Sequence, residues 1–248
     1  SQTIDAVERR LGVRLFQRTT RRVGLTEAGA RLVDALRPAL GAVRDALDTA
    51  ESARGRVSGT LRLTVPRLAC PLVVEPLLGA LLAEHPALRV ELSIDDGLVD
   101  LVAGGFDAGI RLGEMVERDM IVVPMTGPLR SVIVASPAYL AAHGRPRHPR
   151  ELVDHACINY RRITRRELYR WELVVDGRDV SFAVDGRLIV NDVDLLVRAA
   201  IDGHGLAYVT EPPASAAIAD GRLVRLLRPF CPSYPGLHLY YPSRQAPP

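Results

Sequence analysis

Apolar residues recur at spacings of three and four from the start of the chain. Ile4, Val7 and Leu11 form one stripe, which predicts a helix over Ser1 to Leu11. Gly12 is placed to end it as a C′ glycine. Val13 to Leu25 has no helical period; it predicts two short extended pieces around a basic tip, with Leu15, Phe16, Val23 and Leu25 turned inward. Thr26 then caps a long helix. Along it Ala28, Leu32, Leu36, Leu40, Val43, Leu47 and Ala50 alternate between threes and fours, while Arg31, Asp34, Arg37, Asp45 and Asp48 take the other side. So narrow a stripe on so long a helix predicts the seam of a two-helix coiled coil, with Leu32, Leu36, Leu40, Val43 and Leu47 as the dimerisation contact. The plainer reading packs the helix on its own domain, but no apolar partner lies nearby in sequence. Pro38, with Gly41 beside it, predicts a kink, because an interior proline loses a hydrogen bond and clashes with the Asp34 carbonyl at a cost of about 3 kcal/mol.

Arg54-Gly55-Arg56-Val57-Ser58-Gly59 reads as a linker. Beyond it strands and helices alternate. Leu61, Leu63 and Val65 form an alternating strand, Pro71 to Glu84 a helix, and Val90, Leu92 and Ile94 a second strand. A short helix over Leu98 to Ala103 precedes a third strand with Phe106, Ala108, Ile110 and Leu112. This order predicts a parallel sheet built by right-handed crossovers. Further on, Arg130 to Ala135 reads as a strand, Pro137 to His143 and Glu151 to Tyr160 as helices, and Arg170 to Val175 and Asp179 to Val184 as strands. An apolar helix over Asn191 to Gly203, capped by Asn191 or Asp192, leads to a strand over Leu206 to Val209. Pro212 to Ala219 is helical, and Leu223 to Leu227 and Leu237 to Tyr241 are strands. Two α/β lobes follow, with chain passages between them near Ile133 to Ser136 and Leu226 to Pro235.

Charge changes the picture at the N-terminus. All 32 basic residues are Arg, a mark of genomic base composition, but residues 1–56 hold eleven Arg against seven acids, a net of +4, which leaves 3 − 4 = −1 for the rest. Arg9, Arg10, Arg14, Arg18, Arg21 and Arg22 have no acid among them, which suits a polyanion such as nucleic acid better than a solvated helix face of mixed sign. Cys70, Cys157 and Cys231 are far apart and odd in number, which suits reduced thiols of a cytoplasmic protein. There is no Cys-x-x-Cys pair and the histidines are scattered, so neither a metal nor a cofactor is expected. No apolar run is long enough to span a membrane, and no export leader opens the chain, although a chain that does not begin with Met leaves a lost leader open.

The run Ser1-Gln2-Thr3-Ile4, Glu8-Arg9-Arg10-Leu11-Gly12-Val13-Arg14-Leu15-Phe16-Gln17-Arg18-Thr19-Thr20-Arg21 and Leu25-Thr26-Glu27-Ala28-Gly29 closely resembles the end of the winged helix-turn-helix head of LysR-type transcriptional regulators: the second half of the recognition helix, the wing and the start of the linker helix. Phe106-Asp107-Ala108-Gly109-Ile110-Arg111, Ala135-Ser136-Pro137-Ala138-Tyr139-Leu140, Gly205-Leu206-Ala207-Tyr208-Val209 and Leu239-Tyr240-Tyr241-Pro242-Ser243 match one large subgroup of the same family. The resemblance implies an α/β fold: a partial winged helix-turn-helix head (1–25), a linker and dimerisation helix with its hinge (26–56), and a two-lobed, periplasmic-binding-protein-like effector domain (57–248). Lobe I would take about 57–133 and 232–248, and lobe II about 134–231. Against the family pattern, the chain is expected to lack two helices and the start of the recognition helix ahead of Ser1, and a closing amphipathic helix after Ser243-Arg244-Gln245.

The resemblance also implies a promoter-DNA surface and a small-molecule site in a homodimer or homotetramer. The recognition helix would enter the major groove with Ser1, Gln2 and Thr3, and Thr20, Arg21 and Arg22 at the wing would meet phosphates or a narrow minor groove. Arg18 is divided between a phosphate contact and a structural ion pair. Asp5 stands where an Arg is common and puts a negative charge near DNA. The effector cleft would be lined by Pro66, Arg67, Leu68 and Ala69 after the first strand and by Asp96 and Gly97 after the second. Arg111 would follow the third, Asn191 and Asp192 would open the long helix of lobe II, and Thr210 and Glu211 would follow its strand. Arg67 and Arg111 make a carboxylate effector attractive, with helix N-termini adding N–H donors. Plainer roles compete: Asp192 as a helix cap, and Arg111 as the partner of Asp107 or Glu114.

Two other classes share parts of this pattern. A solute-binding protein of a transport system would share the two-lobed cleft, but would not need the basic winged segment and long helix. An enzyme would need a phosphate loop or a nucleophile; no such glycine motif occurs, and Ser136 lacks the Gly-x-Ser-x-Gly setting, so no enzyme is expected.

Overall fold

The computed structural model describes residues 2–18, 23–33, 35, 36, 39, 40, 43, 57–116 and 120–242. Two compact units are present, one of residues 1–64, 79–93 and 99–108, the other of residues 65–78, 94–98 and 109–248.

The first unit opens with helix α1 (Gln2–Leu11), whose last turn carries Arg9 and Arg10, where cations meet the helix dipole favourably. Gly12, at φ 70°, ends it by donating its N–H to the Glu8 carbonyl at 2.9 Å. The expected pair of short strands is β1 (Phe16–Arg18) and β2 (Val23–Leu25), antiparallel with Phe16 opposite Leu25. Leu15 is buried, but Leu25 is exposed, contrary to its expected inward position. The Glu8 carboxylate accepts the N–H groups of Leu15 (2.7 Å) and Phe16 (3.0 Å), which fixes the strand to the helix. Thr26 caps the following helix: its hydroxyl accepts the Gly29 N–H at 3.0 Å and donates to the Arg14 carbonyl at 2.7 Å. A side chain at Gly29 would place its Cβ 2.1 Å from the Leu15 carbonyl oxygen, so this helix start admits only glycine at that position. Residues 27–33, 35, 36, 39, 40 and 43 are helical. Pro38, Gly41 and Leu47 lie outside the described residues, and with them the expected kink.

The larger sheet contains β3 (Ser58–Val65), β4 (Ala87–Ile94), β5 (Ala108–Leu112), β6 (Met120–Pro124) and β15 (Leu237–Pro242), in the order β4-β3-β5-β15-β6. With β3 between β4 and β5, the connection from β4 to β5 must cross over β3. The helix expected over Pro71 to Glu84 begins as a π turn (Cys70–Val74) and continues as α2 (Glu75–Glu84). Pro76 accounts for the wider turn, since it cannot donate to the carbonyl four residues back. The helix expected from Leu98 starts later, as α3 (Leu101–Gly104), because the Asp100 carboxylate accepts the Ala103 N–H at 2.9 Å and caps it there.

The second sheet has β7 (Leu129–Ala135) at its centre, between β12 (Ala207–Thr210) and β13 (Val224–Leu226), with β14 (Ser233–Tyr234) also on β7. Val132 and Val134 pack into one apolar cluster with Leu196, Ala207 and Val209; Ile133 and Ala135 pack into another with Trp171, Leu206 and Tyr208. Both faces of β7 are therefore covered, which is why its sequence reads as a continuous apolar run. Helices α4 (Pro137–His143), α5 (Val193–Ile201) and α6 (Glu211–Ala219) fall where the pattern predicts. Ser136 is the buried N-cap of α4, accepting the Tyr139 N–H at 3.3 Å.

Glu151 to Tyr160 is not a helix. A 3-10 turn (Pro149–Asp154) gives way to strand β8 (Asn159–Tyr160), parallel to β11 (Ile189–Val190). The Cys157 and Asn159 N–H groups are taken by the carbonyls of Asp185 and Leu188, partners some thirty residues away that local periodicity does not reveal. A hairpin of β9 (Trp171–Val175) and β10 (Arg178–Phe182) turns at Asp176 and Gly177, both at positive φ. The chain passes from β6 to β7 through residues 125–128, earlier than the expected passage near Ile133, and returns through Pro235 and Gly236. The two passages run side by side: Leu237 N–H donates to the Thr126 hydroxyl at 2.9 Å, and a Cβ on Gly236 would lie 2.0 Å from the Gly127 carbonyl oxygen.

Candidate effector site and DNA surface

In the head, Thr3 is an exposed residue of α1. Gln2 is in α1 and Arg18 in β1, but only their backbones are described. Ser1, Thr20, Arg21 and Arg22 lie outside the described residues. Arg9, also in α1, turns back to donate from Nε to the Asp5 carbonyl at 3.2 Å.

The residues after β3 and β4 come together. The Arg67 N–H donates to an Asp96 carboxylate oxygen at 2.8 Å, and the Gly97 N–H to Asp95 at 2.7 Å. The Arg67 guanidinium reaches Asp192, with Nε 3.6 Å from Oδ2. Asp192 is also the cap of α5, its other oxygen accepting the Leu195 N–H at 2.7 Å. Of the two candidate caps, Asp192 is the one used, and the sequence-predicted residues Arg67, Asp96 and Asp192 form one cluster. Pro66 and Leu68 flank Arg67, half-buried, and Asn191 is exposed beside Asp192.

Three expected cleft residues have other surroundings. Ala69 is fully buried and offers no surface. Arg111 is 2% exposed, its Nη1 donating to the Ile110 carbonyl at 2.7 Å and its Nη2 to the Gly97 carbonyl at 2.8 Å. Burial pulls its pKa down, against nearby Tyr240, Asp95 and Asp96. Strand alternation places Arg111 opposite the apolar set, but β5 is buried on both faces, and the side chain braces the Gly97 turn. Glu211 binds the Arg225 guanidinium on β13 and lines a hollow to which none of the Arg67 cluster contributes. Thr210 is half-buried at the end of β12.

The structure adds residues that the sequence did not single out. The Thr164 hydroxyl accepts the Leu98 N–H at 2.8 Å, and a Cβ on Gly97 would lie 3.2 Å from that hydroxyl. Tyr160, at the end of β8, belongs to the same cluster: burial pushes its phenol up to about 12, with Asp96 and Asp192 adding to the effect and Arg67 opposing it. As a strand-end residue Tyr160 fits the rule that selected the other cleft positions, and only the helix reading of 151–160 hid it. Thr164 carries no such signal. Among the described residues, Arg67 meets two carboxylates, those of Asp96 and Asp192, so the cluster suits a ligand that brings a positive group as well as a negative one.

The family model "LysR substrate binding domain" matches residues 54–248, and the model "Bacterial regulatory helix-turn-helix protein, lysR family" matches residues 1–30. The chain belongs to the LysR family of transcriptional regulators. A relative from Pseudomonas aeruginosa is 44% identical over 247 residues, covering 100% of this chain and 81% of its own. HTH-type transcriptional regulator PgrR of Escherichia coli K12 is 40% identical over 245 residues, covering 99% of this chain and 82% of its own. The crystal structure of a full-length variant of AphB shares the fold at a TM-score of 0.77 and 24% identity, over 100% of this chain and 83% of that one. LysR-type regulators bind promoter DNA and small-molecule effectors and act as oligomers, and the reading as a transport solute-binding protein has no support among these matches. No described helix of this LysR-type regulator is long and apolar enough to cross a membrane.

Proposed function

We propose that this LysR-type regulator senses a small carboxylate that also carries an amino group, held by Arg67, Asp96 and Asp192. The observation that carries the reading is the Arg67–Asp192 pair at 3.6 Å, with side chains 50% and 35% exposed. A pair so open to solvent contributes about 0–1 kcal/mol. A charge-assisted hydrogen bond in a ligand-closed site contributes about 1.5–3 kcal/mol. A ligand carboxylate can therefore take Arg67 from Asp192, leaving Asp192 and Asp96 to accept its amino group, with the first N–H groups of α5 nearby. The ligand selects the arrangement offering those bonds, and that shift reaches promoter DNA through the head and the helix beyond Thr26. Thr3, Gln2, Ser1, Arg18, Thr20, Arg21 and Arg22 supply the DNA contacts, and the exposed stripe of the long helix pairs two copies. The regulator works in the cytoplasm, by binding and not by catalysis. A thermal-shift screen pairing small carboxylic acids with their amino-acid counterparts tests the effector class: stabilisation by the amino-bearing members is expected, and stabilisation by plain acids alone contradicts it.

A further inference from the structure

A hollow of about 130 Å³ lies against β7 and β13, lined by Arg130, Ser131, Glu211, Arg225, Arg228 and Cys231 among others. Its three arginines come from three separate elements. Arg130 lies in β7, opposite Ser233 of β14. Arg225 lies in β13, opposite Val134. Arg228 opens the 3-10 turn (Arg228–Phe230) that follows Leu227, a buried residue held at φ 50°. A branched side chain in the left-handed region costs free energy and persists only where the surroundings fix it, so the direction of this turn is set by the fold. Glu211 is the one carboxylate in the lining, and it already occupies Arg225. Neither Arg130 nor Arg228 has an ion pair or side-chain hydrogen bond among the described residues. Three guanidinium groups against one carboxylate leave the lining with a charge of +2.

We propose that this hollow is a binding site for a small oxyanion of the phosphate type, separate from the Arg67 cluster, with Arg130, Arg225 and Arg228 as its ligands. Guanidinium forks match the paired oxygens of such an anion, and Glu211 shows the mode, a carboxylate of the chain itself seated on Arg225. An incoming anion competes with Glu211 for Arg225 and thereby loosens the tie between β13 and the first turn of α6. The volume sets the size: a cavity of about 150 Å³ admits a six-carbon ring. Free phosphate fits whole, and a larger metabolite would insert only its terminal phosphate.

The test is calorimetric titration of the whole chain with inorganic phosphate and, in parallel, with glycerol phosphate, against sodium chloride at matched ionic strength. Phosphate is expected to bind where chloride does not. Binding of inorganic phosphate alone assigns the free anion, and binding of both assigns a terminal phosphate group. The double variant Arg130→Gln, Arg228→Gln is expected to weaken the interaction by about tenfold or more. Arg67→Ala leaves it unchanged. Glu211→Gln removes the internal competitor and tightens binding, a gain that a merely destabilised protein would not show. The proposal is overturned if chloride matches phosphate, if the double variant and Glu211→Gln both bind as the wild type does, or if Arg67→Ala abolishes binding.

Discussion

Arg67 and Asp192 face each other across 3.6 Å while each is held by a second bond, the Arg67 N–H to Asp96 and the Asp192 carboxylate to the Leu195 N–H. The anchoring bonds hold the Arg67 backbone and the Asp192 carboxylate in place when the contact between the two side chains opens. Asp192→Asn keeps the helix cap and removes the charge, so stability is expected to change by less than about 1 kcal/mol. Affinity for an amino-bearing effector falls, while that for a plain carboxylate does not. Paired calorimetric titrations separate the two, and equal losses for both ligands would show that Asp192 acts only as a cap.

Arg111 acts as a brace. Arg111→Ala strips two hydrogen bonds from buried carbonyls, at Ile110 and Gly97, and leaves a void, at a cost of about 2–4 kcal/mol in urea unfolding. A variant of unchanged stability that no longer binds effector would instead return Arg111 to the ligand.

Much of the fold is legible in the sequence because it depends on local pattern. The bounds of α4, capped by Ser136, and the start of α5, capped by Asp192, follow from Ser and Asp placed ahead of apolar periods. The failures are places where the partner is remote. Tyr160 looks helical until the Asp185 and Leu188 carbonyls supply partners for the backbone of β8 and the residues before it. The burial of Arg111 is hidden because alternation cannot show that β5 is covered on both faces. The pairing of Glu211 with Arg225 is hidden because nothing in its neighbourhood of the sequence announces Arg225.

Among the described helical residues beyond Thr26, Leu36, Leu40 and Val43 are 47%, 66% and 59% exposed, an apolar set suited to a second copy of the chain. Leu36→Asp with Leu40→Asp is expected to lower the mass measured by sedimentation to a smaller assembly. An unchanged mass would place the oligomer contact elsewhere.

Glu114 provides a pH dependence of known sign. Burial raises its pKa most, Glu172 raises it further, and Arg162 opposes them. The folded chain thus holds this proton more tightly than the unfolded chain, so the contribution of Glu114 to stability falls as pH rises through the shifted range and stays low at neutral pH. Glu114→Gln is expected to raise the melting temperature at neutral pH and to lose that advantage in acid. A gain of the same size at both would assign the effect to packing.

The central claim is that effector binding runs through the Arg67 guanidinium while promoter binding does not. Calorimetry of the effector on wild type and Arg67→Ala, with a promoter gel shift of both in its absence, tests it most directly. Affinity lower by about tenfold or more is expected, the equivalent of one lost charge-assisted hydrogen bond, with an unchanged effector-free shift. An Arg67→Ala protein that binds effector as tightly as the wild type would contradict the account.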